Sequence, residues 1–367
     1  MKIILFIGHH KVGSTSLQTY LARNYYQLLN DGILYPAVLP RSLKQDFKTW
    51  AARRLGAGPM PLRVREAHNL LSQQMIAELT SKPLPVWFQG APSADFMVSR
   101  IQEQIKIHAP ETMILCSEAF SNFASHGDVL VKKILELCAG HDVQILCTLR
   151  RPDQYLTSWH LQRLKFGASP KPLRSDGLES YLSGIHFNYE HMLKPWVQQF
   201  GASTVSVINY ADTLEVGGSI PNFWRQSGLQ EPVGMRPVPR ANPSISTSAC
   251  EIVRLANSVL PNSQRQSFWR WMVSRNEAFE GEKNSKVEMY GPVNRETLSS
   301  RFEAVHSYVS DIAGREMFFP DIGEMTDLKP VSDIEASRAI LPKVRQQART
   351  DKLEPEILAF LEDVSLG

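Results

Sequence analysis

Apolar residues cluster along the chain in short β-branched runs separated by longer amphipathic stretches. The runs "KIILFIG" (2–8), "TMILCSE" (112–118), "VQILCTLR" (143–150) and "TVSVINY" (204–210) are continuous rather than alternating. Continuous runs of this length predict strands buried on both faces. "PVWFQG" (85–90) is a weaker strand candidate of the same kind. Between them the spacing changes to that of helices. Leu17, Leu21, Tyr25 and Leu28 fall on one stripe, and Val129, Ile134, Leu135 and Leu137 fall within a second helix over 128–139. Pro152 suits the first turn of a helix running to about Gly167. "YEHMLKPWVQQFG" (189–201) predicts another, kinked or restarted at Pro195.

Strands alternating with helices predict an α/β fold: a parallel sheet flanked by helices. Residues 36–110 read as a largely helical insertion with irregular joints such as "GAGPMP". Beyond Asp212 the pattern turns helical over 247–260, 263–275, 295–313 and 333–349. The expected organisation is an α/β domain over 1–320, carrying the 36–110 insertion, and a helical C-terminal extension over 321–367. "PVGMRPVPRANPSIS" (232–246) is proline-rich and predicts a loop.

Composition narrows the class. The chain has 367 residues, 43% hydrophobic and 21% charged, enough for one large or two ordinary cores. Its net charge of +3 is too mild to indicate a nucleic-acid partner and suits a small anionic ligand. Basic residues cluster at Arg41, Lys44, Lys48, Arg53, Arg54, Arg63 and Arg65, either as a solvated helix face or as an attractor for an acidic acceptor. The four cysteines, Cys116, Cys138, Cys147 and Cys250, form no C-x-x-C pair, and reduced buried thiols are expected. The opening "MKIILFIG" is too short for a signal-peptide core, and no 18-residue apolar stretch exists. A cytoplasmic protein without a transmembrane segment is the expectation.

Two segments carry candidate chemistry. "IGHHKVGSTSLQTYL" (7–21) passes from a strand through glycines into a helix. A glycine loop there aims backbone N–H groups at one point, where the helix dipole also favours an anion. Gly13 permits close approach; Ser14, Thr15 and Ser16 add hydroxyl donors. The stretch nearly fits the nucleotide loop G-x-x-x-x-G-K-S/T, but Ser14 takes the lysine position and the lysine comes earlier, at Lys11. That shift counts against a magnesium–ATP loop, whose lysine serves the β/γ-phosphates. The second segment, "LRRPDQYLTSWHLQ" (149–162), puts Arg150 at a strand end and Ser158 on the following helix, a second candidate anion pocket. Ligands of parallel sheets bind beyond the carboxyl ends of the strands, which aligns Lys11, Glu118, Arg150 and Tyr210 on one rim.

The pair "HHKVGSTSLQ" and "RRPDQYLTS" resembles the two signatures of sulfotransferases that use 3′-phosphoadenosine 5′-phosphosulfate. In that family the first loop, P-K-T/S-G-S/T-S/T, holds the 5′-phosphosulfate, and the second, R-x-P-x5-S, holds the 3′-phosphate. "ILCSE", "YEHMLKPWVQQFG", "VINYADTL" and "ANPSIS" extend the likeness to the bacterial branch, over roughly residues 1–320, with little signal in 36–110. The family's proline before the lysine is His10 here, and the acidic residue that often follows the tyrosine is Ala211. The resemblance implies a P-loop-like sheet and sulfonate transfer from that co-substrate, without a metal, to a hydroxyl or amine acceptor such as a carbohydrate. It implies donor binding by Lys11, Val12, Gly13, Ser14, Thr15, Ser16, Arg150, Ser158 and Tyr210, and catalysis by Lys11 with Glu118 or His10 as base. His160 is a third candidate base. Glu118 has an alternative reading, as a cap or as the ion-pair partner of Arg150 or Arg151. Arg240, Asn242 and Ser244 are candidates for closing over the ligand. A P-loop kinase or nucleoside triphosphatase, and a non-catalytic nucleotide-binding protein, remain competing readings.

Overall fold

The structure, a computed structural model, describes residues 1–40, 60–238 and 244–366. The chain groups into two compact units, each assembled from separate stretches of sequence. One comprises Met1–Arg150, Asn188–Ala241 and Val305–Phe318; the other comprises Arg151–Phe187, Asn242–Ala304 and Phe319–Gly367.

The first unit is built on a five-stranded parallel sheet: β1 (Lys2–Gly8), β2 (Ile33–Leu34), β3 (Thr112–Cys116), β4 (Asp142–Leu149) and β5 (Val205–Asn209), in the order β2-β3-β1-β4-β5. Four of these coincide with the continuous apolar runs. β2 does not: two residues are too few for a hydrophobic period, and only pairing of Ile33 and Leu34 with Thr112 and Met113 makes them a strand. Residues 85–90, a strand candidate by sequence, are not a strand. Val86–Phe88 form a 3₁₀ turn after Pro85, with Val86 and Trp87 exposed and bonded to no sheet.

Strand periodicity explains why the runs are continuous. Ile4, Phe6, Ile114, Cys116, Leu146 and Ile208 share one face, packed on Val12, Leu17, Tyr20 and Leu21. Ile3, Leu5 and Ile7 point to the opposite face and are equally inaccessible. On that side a 3₁₀ helix, Glu118–His126, meets the helix Tyr189–Phe200 through Phe120, Phe123 and Trp196, and Phe123 stacks on Trp196 at 6.2 Å. Pro195 lies inside that helix without ending it. The 36–110 region contains the helices Leu62–Arg65, Ala67–Thr80 and Ala94–His108, while the basic residues at 41–54 lie outside the described residues.

The second unit is mainly helical and includes Pro152–Lys165, Cys250–Val259, Asn262–Ser274, Asp333–Thr350 and Pro355–Asp363, with a short parallel pair, β6 (Val287–Glu288) and β7 (Val331–Ser332). Ser332 and Glu335 form a capping box that starts the helix at Asp333. All four cysteines are free and buried. Among the described residues, no helix is long and apolar enough to cross a membrane.

Candidate functional site

Strand order decides where a ligand meets this sheet. β1 is central, with β3 on one side and β4 on the other, so the chain's progression through the sheet reverses about β1. Parallel sheets open a crevice beyond the carboxyl ends at such a switch point. The pairings Phe6↔Cys116, Phe6↔Leu146 and Leu149↔Asn209 stagger the four ends: β3 stops first, at Cys116, and β4 and β5 run three residues further. The residues that follow are the glycine loop after β1, Glu118 after β3, Arg150 after β4 and Tyr210 after β5. The four rim residues expected from the sequence therefore follow neighbouring strand ends.

The loop is held on both sides. Ser117 N–H donates to Phe6 O (2.9 Å) and His9 N–H to Thr148 O (2.8 Å), continuing the ladders of β1 beyond the strand. A side chain at Gly8 would lie 3.2 Å from the Glu118 backbone, and Gly8 has φ +107°, so only glycine fits there without strain. Lys11, half-buried, sits at φ +62°. Gly13, at φ +87°, is the N-cap of the helix Ser14–Arg23; Ser219 Oγ donates to its carbonyl at 3.0 Å. Val12 and Ser14 are buried, Thr15 and Ser16 half-buried. The helix therefore begins in the loop, and its first N–H groups have no partner within the helix itself.

Glu118 opens the 3₁₀ helix, where Ser117 Oγ accepts from Ala119 N–H as N-cap. Its carboxylate pairs with His10, Oε1 to Nδ1 at 3.7 Å, rather than with an arginine. The other ring nitrogen of His10, Nε2, lies 3.3 Å from Asn122 Oδ1. Glu118, His10 and Asn122 thus form one polar cluster beside the loop.

At the next two strand ends, the Arg150 guanidinium lies over the Tyr210 ring, 5.2 Å from its centroid. Tyr189 Oη donates to the Arg150 carbonyl at 2.7 Å and fixes the strand end. Tyr210 starts a short helix, Tyr210–Glu215, capped by Asn209. Ser158 belongs to the second unit, half-buried on Pro152–Lys165. Arg151, also of that unit, is buried on Asp153, Asp321 and Glu324, a structural ion-pair cluster. His160 is buried there, with Nδ1 3.2 Å from Tyr181 Oη, and burial pushes its pKa down to about 4, which suits a neutral packing residue. Of the loop candidates at 240–244, Arg240 and Asn242 lie outside the described residues, and Ser244 is exposed.

Sequence reasoning missed a buried polar brace. Helix Ala67–Thr80 of the insertion presents His68, Asn69 and Ser72 to the end of β3. Cys116 N–H donates to His68 Nδ1 (3.0 Å), which obliges Nε2–H to donate to Pro36 O (3.0 Å). Ser117 Oγ donates to Asn69 Oδ1 (2.7 Å) and lies 2.8 Å from Ser72 Oγ; Gln18 Nε2, one turn into the loop's helix, reaches the same Asn69 oxygen at 3.3 Å. Burial holds His68 well below its ordinary 6.5, at about 4, and pushes the Cys116 thiol up. The only trace in the sequence is three polar residues on a helix that is otherwise apolar at its start. Asn122 shows as little, four residues after Glu118.

Arg63 of the insertion donates to the carbonyls of Trp87 and Gln89, and Arg65 pairs with Glu66. The two described members of the basic cluster are thus engaged locally. Comparison of the chain with family models, with curated proteins and with solved structures finds no match.

Proposed function

We propose that the protein transfers a sulfonate group from 3′-phosphoadenosine 5′-phosphosulfate to an acceptor hydroxyl or amine, a carbohydrate among the candidates. The observation that carries this reading is the convergence at the switch point: a glycine loop with Lys11 at its middle, Arg150 beside Tyr210, and the Glu118–His10 pair. The chemistry asks for those three functions. The loop N–H groups with Ser14, Thr15 and Ser16 bind the 5′-phosphosulfate, while Arg150 binds the 3′-phosphate. When the acceptor oxygen bonds to sulfur, its proton passes to the Glu118–His10 pair. The sulfur–oxygen bond to the nucleotide breaks, and its electron pair stays on the 5′-phosphate. Lys11 stabilises that growing charge, work that a preorganised donor does well away from bulk water. A transferred sulfonate carries less charge than a phosphoryl group, so the reading requires no metal.

Calorimetry tests it. Adenosine 3′,5′-bisphosphate binding without magnesium, in preference to ATP with magnesium, is the expected result. Tighter magnesium-dependent binding of ATP would refute it in favour of a kinase or nucleoside triphosphatase. Labelled-sulfate transfer to a panel of acceptors then separates an enzyme from a non-catalytic binding protein.

A further inference from the structure

We propose that the cleft between the last turns of helix Ala67–Thr80 and the Val86–Phe88 turn is a saccharide-binding site, separate from the sheet rim and independent of the sulfonate reading. The cleft encloses about 350 Å³, opens to solvent and lies wholly within the first unit. Its lining includes Gln74 and Glu78 from the helix, Ser81 and Lys82 just after it, and Leu84 and Gln89 on either side of the turn. The same helix braces the end of β3 with His68, and at about 1.5 Å per residue Glu78 lies about 15 Å further along it. The brace and the cleft are thus opposite ends of one helix.

Chemistry selects the ligand. A sugar ring carries hydroxyls, which both donate and accept, around its edge, and C–H groups on its faces. The two amides, the carboxylate, the hydroxyl and the ammonium of the lining supply donors and acceptors together. Leu79, Val86, Trp87 and Phe96 are all exposed on the same stretch of chain, whereas the other exposed large apolar side chains among the described residues are scattered. Trp87 and Phe96 offer flat apolar surface to the faces of a sugar ring. An acyl chain in the cleft would dehydrate Gln74, Glu78 and Gln89 without pairing them. Glu78 offsets the charge of Lys82, so the lining favours a neutral ligand over an anion. The walls are set before any ligand arrives, which keeps the ordering cost of binding low. Glu78 Oε1 accepts from Gln74 Nε2 at 2.8 Å and from Ala94 N–H at 2.9 Å, which ties the helix end to the start of the next helix. Arg63 donates to the carbonyls of Trp87 and Gln89, and the buried Phe88 anchors the turn.

The test titrates the full-length, ¹⁵N-labelled protein with cellotetraose, chitotetraose and maltotetraose. The reporter is the ¹H–¹⁵N signal of the Trp87 indole, assigned by its loss in Trp87→Phe. Saturable binding of at least one tetrasaccharide, with a shift of that signal, is the expected result. Trp87→Ala and Gln89→Ala, each shown to be folded by circular dichroism, should weaken calorimetric binding of the same sugar about tenfold. Absence of saturable binding by all three sugars, or an affinity that neither substitution changes, overturns the proposal. A dimer in sedimentation that Trp87→Ala dissociates also overturns it, because it assigns the exposed apolar residues to a second copy of the chain. The titrations contain no nucleotide, so they judge the cleft separately from the sulfonate reading, which adenosine 3′,5′-bisphosphate binding judges.

Discussion

Acidification should destabilise the first unit through His68. The ring is wholly buried, and its two hydrogen bonds dictate the neutral form, with Nδ1 accepting from Cys116 and Nε2 donating to Pro36. A proton on Nδ1 would eject the Cys116 N–H and leave a charge among apolar neighbours. The folded-state pKa of about 4 therefore lies below the ordinary 6.5. Between those values the unfolded chain binds a proton that the native chain refuses, so stability falls as pH falls through this window. A tenfold difference in proton affinity between the two states is worth about 1.4 kcal/mol, and integrating from pH 7 to about pH 4.5 gives a loss of about 2.4 kcal/mol at this site. His160 titrates with the same sign, while Asp333, raised to about 6 by burial, contributes with the opposite sign. The comparison that isolates His68 is with His68→Met, which preserves bulk but orphans the Cys116 N–H and the Pro36 carbonyl. It should cost about 2–4 kcal/mol at pH 7. In urea unfolding followed by tryptophan fluorescence, the gap between wild type and variant should narrow by about 2.4 kcal/mol at about pH 4.5. Parallel pH profiles for the two proteins would refute the reasoning.

Further tests address the rim itself. Lys11→Ala should cut sulfonate transfer by about 10²–10³ with the fold intact by circular dichroism; unchanged turnover removes the role assigned to Lys11. Arg150→Ala should weaken calorimetric binding of adenosine 3′,5′-bisphosphate much more than that of adenosine 5′-phosphate, and equal losses would argue against a 3′-phosphate contact. Glu118→Gln should lower kcat while nucleotide affinity holds within about twofold, since it removes a proton-transfer partner rather than a phosphate ligand. Gly13→Ala should destabilise by about 2–3 kcal/mol in thermal unfolding, because a Cβ at φ +87° would stand 2.8 Å from Ser219 Oγ; a loss under about 0.5 kcal/mol would mean the loop relaxes freely.

Much of the first unit is legible in one dimension because its determinants are local. An apolar run of about five to eight residues bounded by turn signals reads as a buried strand, and four of the five sheet strands announce themselves in this way. A glycine loop between a strand and a helix is equally local, so Gly8, Lys11 and Gly13 can be singled out from their neighbours alone. What the chain cannot declare is pairing across distance. β2 exists only because β3 offers it a ladder, and Val86–Phe88, equally apolar, finds no such edge. By sequence the partner of Glu118 is open between capping and an arginine, and the fold delivers His10 from the distant loop after β1. The brace from His68, Asn69 and Ser72 has no sequence signature, because a polar residue on an apolar helix becomes meaningful only when another segment supplies its acceptor. Local hydrophobic pattern thus determined the elements and the loop. The order of the strands, which sets the neighbours of each strand end, was decided by tertiary packing, and with it the company that every polar side chain keeps.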